Sequence, residues 1–496
     1  WGTGVQLSGC HDVTMTDVVT ADNGWGGIAI FCTQYPTSEP PRGSDDVTIV
    51  SATNAEAVPI YREDEFGVTN TNITLPAAYQ HIVRNETHRP DGDEFYFYRT
   101  DLADAVAAAL AFTGYEADSY IYELAQPTHF WVGTNGTLDM SIQTAVDAAG
   151  AGGWVHVTAG TFEEQVLVGA DLTLQGAATN STVIVSPDDL AGSFTIGSST
   201  YYPVVLAQDT ANVSVLDLTI DGAGKGNDNN RFVGLAYRNA GGDAVDLKVT
   251  GVRHTPLNGV QGGLGIYVQN DDGTARAVTI TGCVVNDFQK NGITVNSAAG
   301  TPLDATITGN TVTGAGVLSA DDGDPAQNGI QVNGPDVVGL IGENTVSGIA
   351  YDNTNASTPW VATSILDFYT SVDVIDNVVF DGHVGVYKYS AAGQVALNEL
   401  TIDKVGLEAY GIIATDPPQA VPSPVEVALD GAPAADKALV TVVVDGNTIT
   451  LTGTDTVDTY GIFAYAGVTP EDIDIAITGN TVTNFQYSTI LYQYAL

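Results

Sequence analysis

The chain has 496 residues, enough for two or three compact domains, and its 44% hydrophobic and 15% charged residues exclude a disordered tail. Its longest uninterrupted apolar run, from Ala105 to Phe112, is too short to cross a bilayer, so membrane insertion is not expected. Asp and Glu number 59 against 15 Lys and Arg, and the resulting charge of -44 argues against nucleic acid as a partner.

The acidic balance has two interpretations. The first is a solvated acidic coat that keeps a secreted protein soluble in salty water, and the second is a dedicated cation-binding role. Polyanionic glycans are disfavoured as ligands unless divalent cations bridge the charges.

Residues 1–80 contain short coil-like phrases, and we expect them to form the terminal coils of a first β-helix segment. The phrases are GVQLSGC, DVTMTDV, GGIAIFC and DVTIVSA. Cys10 and Cys32 are 22 residues apart, close to one coil, which leaves both a disulfide and two free thiols open. Cys283 occupies a turn position where other repeats carry Asn, and we interpret it as a small buried residue.

Residues 81–134 break this pattern and are predicted to form a junction with a helix. Thr100 is a candidate cap for a helix from Asp101 to Thr113. Its predicted apolar face comprises Leu102, Val106 and Leu110. Aromatic residues follow at Tyr115, Tyr120, Tyr122, Phe130 and Trp131. We interpret this segment as packing between two solenoid segments.

Residues 135–496 are predicted to form the main domain, which begins with a short helix. Asp139 or Ser141 can cap it, its apolar positions between 142 and 149 share one face, and Gly150 ends it. A strand at 154–157 follows, and then the phrases AGTFEEQV and DLTLQG.

From about residue 210 two phrases recur, which is the signature of a repeat architecture. The turn phrase reads ITGCVV (280–285), ITGNTV (307–312), IGENTV (341–346), VIDNVV (374–379), VDGNTI (444–449) and ITGNTV (477–482). The third-strand phrase reads GIYV (265–268), GITV (292–295), GIQV (329–332), GVYK (385–388), GIIA (411–414) and GIFA (461–464).

The phrases alternate in hydrophobicity over three to six residues and are bounded by Gly, Asn or Asp, which is typical of short strands. Asn suits a sharp turn because it tolerates the left-handed region and its amide can bond along a stack of equal turns. We predict an all-β chain, a right-handed parallel β-helix with three short strands per coil and a short helical junction. Neighbouring strands should lie about 4.8 Å apart.

These phrases resemble the pectin-lyase-like superfamily of secreted parallel β-helix proteins. The resemblance rests on AGTFEEQV (159–166), DLTLQG (171–176) and DFQKNGITV (287–295), and it covers roughly residues 135–496. It implies the fold and a secreted protein, but not one function, because the superfamily contains lyases, esterases, epimerases, adhesins and inert scaffolds.

Motifs for known chemistry are largely missing from the sequence. It contains no Gly-x-Ser-x-Gly elbow, no His-Glu-x-x-His and no phosphate loop. The calcium-binding Asp cluster with an Arg base of pectate lyases, and the paired Asp with Arg of pectin methylesterases, cannot be placed on adjacent coils. The stretch from Tyr410 to Pro417 matches the alginate epimerase phrase only in part and lacks its His.

Two weak ligand sites remain. Asp321, Asp322 and Asp324 share a Gly-containing loop that could bind Ca²⁺ or be a solvated acidic loop. Four tyrosines on or beside third strands could form an exposed aromatic ladder for sugar rings, or only stiffen the solenoid. They are Tyr369, Tyr387, Tyr389 and Tyr465. No other cofactor is indicated.

Asp367 and Lys388 are predicted to be neighbours. Each occupies a third-strand position that other coils fill with an inward Val, and they are 21 residues apart, about one coil. An inward charge is costly unless it is paired, so we expect a stacked ion pair across two rungs, or an active-site pair.

Two functions stay open from the sequence. One is an extracellular structural or adhesive β-solenoid that contacts polysaccharide, and the other is a polysaccharide lyase or hydrolase with a groove along one face. Both ends read as strands without a cap, so we expect end-to-end self-association, a longer parent protein, or capping by the 81–130 junction.

Overall fold

The computed structural model describes residues 2–56, 58–89, 92–99, 101–111, 118–134, 140–356, 360–415, 440–466 and 473–493. They form a right-handed parallel β-helix that is nearly all β, with two short α-helices. The chain divides into two compact units, Trp1–Phe162 with Leu172–Ala177, and Glu163–Asp171 with Ala178–Leu496. The three segments expected from the sequence remain a prediction of domain organisation.

The first unit opens with three incomplete coils. Its strands are β1 (Thr3–Ser8), β2 (His11–Met15), β3 (Val18–Thr20), β4 (Gly26–Phe31), β5 (Asp45–Ile49), β6 (Ala52–Asn54), β7 (Ile60–Asp64) and β8 (Thr71–Thr74). They stack in parallel as β1–β4–β7, β2–β5–β8 and β3–β6. Their interior is apolar, with Ile28, Ile30 and Ile60 closed to solvent. Cys10 and Cys32 are free thiols.

An antiparallel sheet continues the first unit. A 3-10 turn at Ala77–Tyr79 precedes β9 (Ile82–Arg89), β10 (Gly92–Tyr98), α1 (Leu102–Ala111), β11 (Tyr120–Glu123), β12 (Gln126–Val132), α2 (Ile142–Ala149), β13 (Gly153–Val157), β14 (Gly160–Glu163), β15 (Val166–Val168) and β16 (Leu172–Gly176). Strands β7, β10, β9, β11 and β12 pair antiparallel, and the parallel order resumes at β12–β13–β16.

The two α-helices differ from the expectation in one respect. Helix α2 is capped by Ser141, whose Oγ accepts from Thr144 N at 3.2 Å. Helix α1 buries Ala105 and Ala109, while Leu102, expected on the buried face, is exposed. The buried face is therefore made of small side chains, and the prediction for Leu102 was wrong. Thr100, Thr113, Tyr115 and Asp139 lie outside the described residues.

The second unit is the main β-helix, and each coil supplies one strand to each of three sheets. The first sheet contains β24 (Arg276–Thr281), β27 (Leu303–Thr308), β30 (Val337–Gly342), β33 (Ser371–Ile375), β36 (Gly393–Ala396), β39 (Val440–Asp445) and β42 (Ile473–Thr478). The second sheet contains β17 (Thr182–Val185), β20 (Thr219–Asp221), β22 (Lys248–Thr250), β25 (Val284–Asn286), β28 (Thr311–Ser319), β31 (Thr345–Asp352), β34 (Val378–Gly382), β37 (Glu399–Asp403), β40 (Thr448–Thr452) and β43 (Thr481–Thr483).

The third sheet contains β23 (Leu264–Asn270), β26 (Asn291–Ser297), β29 (Asn328–Asn333), β32 (Thr363–Phe368), β35 (Val384–Tyr389), β38 (Ala409–Thr415), β41 (Thr459–Ala466) and β44 (Tyr487–Gln493). Two long strands, β19 (Ser199–Leu216) and β21 (Phe232–Val245), pair with each other, and β21 pairs in turn with β23 of the third sheet and β24 of the first. The short strand β18 (Phe194–Ile196) forms a hairpin with β19, and a 3-10 turn spans Lys225–Asn227.

A ladder of asparagines joins the turns between the first and second sheets. Each Nδ2 donates to the Oδ1 of the next asparagine at 2.8–2.9 Å. The members are Asn310, Asn344, Asn377, Asn398, Asn447 and Asn480. Cys283 takes the equivalent position one coil earlier, where it is buried and its N donates to Asn310 Oδ1 at 2.9 Å. The ladder satisfies the amide groups of tight turns that are closed to solvent.

Candidate functional site

A column of glycines determines which residues of the third sheet face outward. A Cβ on Gly292 would lie 2.5 Å from Val312 Cγ1 in the core and 2.8 Å from Gly329 O. The backbone therefore lies against the core at this point, and the next residue, Ile293, is also closed to solvent. Asn291 before the glycine and Thr294 after it face away from the core and bond each other, Nδ2 to Oγ1 at 3.0 Å.

The outward residues of β26, β29 and the start of β32 form a continuous polar strip. We define it as Asn291, Thr294, Asn296, Asn328, Gln331, Asn333 and Thr363. Asn291 and Asn328 are register partners, and both donate through Nδ2 to Gln331 Oε1 at 3.0 Å. Alternating positions on the same strands, such as Val295 and Val332, are apolar and buried. The strip is thus a hydrogen-bonded layer on the outer face of the sheet.

Several polar atoms of the strip are buried and have no hydrogen-bond partner among the described residues. They are Asn291 Oδ1, Asn296 Oδ1, Asn328 Oδ1, Asn333 Oδ1, Gln331 Nε2 and Thr363 Oγ1. Gln331 and Asn328 are 0% exposed. Buried polar atoms are nearly always paired in folded proteins, so a run of unpaired ones on three consecutive strands points to a ligand site.

An aromatic cluster borders the strip on the side of β23. Phe194 lies parallel to Tyr201 and Tyr267 with ring centroids 5.2 and 6.1 Å away, respectively. Burial raises the pKa of the Tyr267 phenol well above its usual range. The Tyr267 hydroxyl donates to Gln269 Oε1 at 2.9 Å and accepts from Asn296 Nδ2 at 3.3 Å. This cluster is therefore joined to the strip by hydrogen bonds.

A larger aromatic cluster borders the strip on the opposite side. Phe368 is the register partner of Asn333 and begins the cluster. Its other members are Val361, Leu366, Val384, Tyr387, Tyr410, Ile413, Tyr369, Tyr389, Tyr460 and Phe463. Tyr410 stacks on Tyr460 with centroids 5.0 Å apart. The polar strip is thus bounded by aromatic rings at both ends along the solenoid axis.

The strip carries no charged side chain, and two of the nearby basic groups, Arg238 and Lys290, are engaged elsewhere. Arg238, one strand before Gln269 in register, pairs through Nη1 with Asp271 Oδ1 at 2.5 Å. Lys290 is buried beside Asn291, and its Nζ donates to Ala326 O. Burial lowers the pKa of Lys290 to about 7.

Asp367 and Lys388 are register partners, and the structure brings them together in the interior of the solenoid. Lys388 Nζ donates to Asp367 Oδ2 at 2.5 Å, and neither side chain is exposed. Two backbone carbonyls, Val372 O and Ala392 O, accept from the same Nζ at 2.7 Å. This environment is that of an internal ion pair closed off from ligand.

The predicted tyrosines do not form an exposed ladder. Tyr387 is 0% exposed, and Tyr369 and Tyr389 are half-buried in the same aromatic cluster. The expectation of an exposed ring was wrong for Tyr387, because its outward position is closed to solvent within the aromatic cluster. Tyr465 is half-buried on β41, in register with Thr415.

The acidic loop keeps its carboxylates near the surface, and a Ca²⁺ site there stays a prediction. Asp321 and Asp322 are exposed, and Asp321 Oδ2 accepts from Asn355 Nδ2 at 2.9 Å. Asp324 Oδ2 accepts from Ser319 N at 3.3 Å. Within the described residues, no group of three or more His, Cys, Asp or Glu side chains is arranged to hold a metal ion.

Sequence reasoning missed the polar strip, although the printed repeat contains its signal. The segments 291–296 and 328–333 both read Asn-Gly-Ile-polar-Val-Asn, with polar residues at every outward position. It also missed a buried acidic cluster of the first unit. There the Tyr61 hydroxyl lies 2.8 Å from Glu63 Oε2 and 2.6 Å from Glu94 Oε1.

No protein-family model matches the chain, and no curated protein is similar to it in sequence. Similar solved structures include the A-module of a mannuronan C-5 epimerase from Azotobacter vinelandii, with 18% identity, a TM-score of 0.39, and coverage of 71% of this chain and 92% of that one. A protein of Geobacillus virus E2 has 14% identity and a TM-score of 0.34, covering 93% of this chain and 74% of that one. The tailspike of Pseudomonas phage phi297 has 12% identity and a TM-score of 0.32, covering 69% and 67%. These similarities are too distant to transfer a function.

Proposed function

We propose that this protein is an extracellular, adhesive β-solenoid that binds a glycan along the polar strip. The observation that carries the proposal is the set of buried, outward-facing amide and hydroxyl atoms without a partner among the described residues. Each such atom costs about 1–3 kcal/mol when left unpaired, so a ligand that pairs them is strongly favoured. Such a ligand has to be rich in hydrogen-bonding groups.

A glycan matches the chemistry of the strip. Sugar hydroxyls donate and accept hydrogen bonds, and the strip offers both free acceptors, such as Asn328 Oδ1, and a free donor, Gln331 Nε2. In the larger bordering cluster, the half-buried rings of Tyr389 and Tyr460 offer apolar surface for the faces of sugar rings. Ligand sites usually combine apolar surface with a few precisely placed polar groups.

Binding without turnover is the function that the strip supports best. Glycoside hydrolysis usually requires a pair of carboxyl groups that flank the scissile bond. The strip contains only amide and hydroxyl side chains, and the nearby carboxylate Asp367 is tied to Lys388 inside the core. An adhesive role is therefore preferred to the alternative of a polysaccharide lyase or hydrolase.

The burial of the strip is expected to slow the association of a glycan. Asn328, Gln331 and Thr363 are closed to solvent, so a glycan has to displace whatever covers them. Association that requires such a change is slower than the usual range of about 10⁵–10⁷ M⁻¹s⁻¹. Slow association is thus a second, kinetic signature of the proposed site.

We also propose a secreted protein of the pectin-lyase-like kind. The support is the repeat itself, the phrases AGTFEEQV and DLTLQG, and a charge of -44 that suits a solvated extracellular surface. None of the described helices is long and apolar enough to span a membrane.

The test uses the purified full chain on a glycan array, together with the variant Gln331→Leu. Leucine already stands at the next register position, Leu366, so the variant is expected to fold. We expect the wild type to bind at least one glycan and Gln331→Leu to lose about tenfold in affinity, because a buried hydrogen bond is removed. Thr306→Ala, on β27 of the first sheet, is the matched control and should bind like the wild type.

The same samples distinguish adhesion from turnover. Bound glycans are incubated with the protein and examined for new reducing ends and for unsaturated products. We expect neither product. Their appearance would favour the enzyme, and failure to bind any glycan on the array would reject the proposal as a whole.

A further inference from the structure

We infer that the polar strip selects uncharged glycans and rejects polyuronates and sulfated glycans. The inference deepens the proposed function and rests on it, since it names the class of glycan that the strip takes. It follows from the charge of the strip, from the groups around it and from the charge of the whole chain.

The strip itself provides no compensation for an anionic ligand. All its members carry amide or hydroxyl groups, and its free atoms are mostly acceptors, as at Asn291 Oδ1 and Asn333 Oδ1. Acceptor oxygens repel a carboxylate or sulfate but bind the hydroxyl hydrogens of a neutral sugar. An ionised group brought into a closed site without a partner is strongly disfavoured.

Arg231 lies over the ring of Tyr201, 5.4 Å from its centroid, and the other basic side chains near the strip are not available to an anion. The Arg238 guanidinium is paired with Asp271, and the Lys388 ammonium lies with Asp367 in the core. Lys290 is only 4% exposed and bonds Ala326 O. Because burial disfavours its charged form and lowers its pKa to about 7, the positive charge of Lys290 is reduced at neutral pH.

The surroundings add repulsion rather than attraction. The chain carries a net charge of -44, which opposes the approach of any polyanion at low ionic strength. A divalent cation that bridged the protein and an anionic glycan would need protein ligands, and no cluster of such ligands is found within the described ranges. A neutral glycan encounters neither obstacle.

The extent of the strip bounds the length of glycan that it contacts. It runs across β26, β29 and the start of β32, and strands of a solenoid are spaced about 4.8 Å apart, so it spans roughly 10 Å along the axis. Tyr267 lies at one end and Phe368 at the other. Both rings are buried and mark the two limits of the polar surface.

The experiment compares neutral and anionic polysaccharides in one affinity assay. Soluble β-glucan, mannan, galactan and xylan are the neutral probes, and alginate, polygalacturonate and a sulfated galactan are the anionic ones. Each is measured at low and at moderate salt, with and without Ca²⁺, against the wild type and Gln331→Leu. We expect binding of at least one neutral polymer, no binding of the anionic polymers in any buffer, and about tenfold weaker neutral binding by Gln331→Leu.

The outcomes separate the inference from the proposed function. Binding of a polyuronate or sulfated polymer as tightly as any neutral one, with or without Ca²⁺, overturns the inference but leaves glycan binding in place. Binding of no polymer in either class overturns both. If Gln331→Leu melts like the wild type and binds the neutral polymer equally tightly, the ligand does not bind at the strip. That result overturns the inference.

Discussion

Lys388 Nζ donates to Asp367 Oδ2 across 2.5 Å in the interior of the solenoid, where both side chains are 0% exposed. The Thr370 hydroxyl donates to Asp367 Oδ1, and two backbone carbonyls accept from the ammonium group. Burial raises the pKa of Asp367, and the neighbouring ammonium group opposes this shift. The two charges are therefore tied to each other and to the turn beside them.

Removing one partner should destabilise the protein far more than removing both. Lys388→Met leaves the Asp367 carboxyl buried without its cation, and we expect a loss of about 3–5 kcal/mol in the free energy of unfolding. The double variant Asp367→Leu with Lys388→Met should lose less than that single variant. The free energy of unfolding in denaturant checks this. A double variant that is less stable than Lys388→Met would contradict the view that each charge is needed mainly to neutralise the other.

His383 should make stability depend on pH. It is 0% exposed, its Nε2 lies 2.7 Å from Glu408 O, and burial lowers its pKa to about 4. In the unfolded chain the pKa is about 6.5, so the unfolded state binds the extra proton first as pH falls. Stability should decrease by about 3 kcal/mol between pH 6.5 and pH 4 on account of this group.

The variant His383→Gln isolates that contribution. Its amide can still donate to Glu408 O, and it does not titrate. We expect the unfolding free energy of the variant to depend less steeply on pH between 6.5 and 4 than that of the wild type. Equal slopes for the two proteins would show that His383 does not remain neutral in the folded state.

The asparagine ladder should contribute unequally along its length. Asn344 is 0% exposed and donates to Asn377 Oδ1 and Ile307 O, while it accepts from Asn310. We expect Asn344→Ala to cost about 2–4 kcal/mol, because several buried groups lose their partners. Asn480→Ala, at the half-exposed last member, should cost about 1 kcal/mol or less. Thermal unfolding of both variants provides the comparison, and equal costs would contradict it.

End-to-end association remains a prediction. On β44 the side chains of Tyr487 and Leu491 are 41% and 61% exposed, whereas Ala464, the register partner of Leu491 on β41, is buried. Exposed strand edges and apolar side chains favour addition of another strand. We expect the molar mass from light scattering to rise with concentration, and Leu491→Lys to reduce that rise. A mass that stays monomeric at every concentration would reject the prediction.

The coil and its turns were predictable because they depend on neighbours in sequence. Alternation over a few residues indicates a short strand, and Asn or Gly at the following position indicates the turn. The register of Asp367 and Lys388 follows from the same repeat, since both replace an inward apolar residue.

The candidate site was less predictable, because its character depends on what lies over the outer face of the third sheet. Tyr387 and Gln331 occupy the same outward column, and nothing in their local sequence indicates that both are closed to solvent. Likewise α1 buries Ala105 and Ala109 and exposes Leu102, which periodicity alone does not reveal.

The asparagine ladder keeps the same hydrogen-bond geometry whatever the number of residues in a coil. Successive members are 21 residues apart at Asn377–Asn398 and 49 apart at Asn398–Asn447, yet both side-chain bonds measure 2.9 Å. The extra residues between Asn398 and Asn447 therefore leave the side-chain bond of the rung unchanged. We expect the solenoid to accept inserted segments of very different size between two rungs while the stacked coils keep their spacing. Binding segments can then be exchanged in one coil without changing its neighbours.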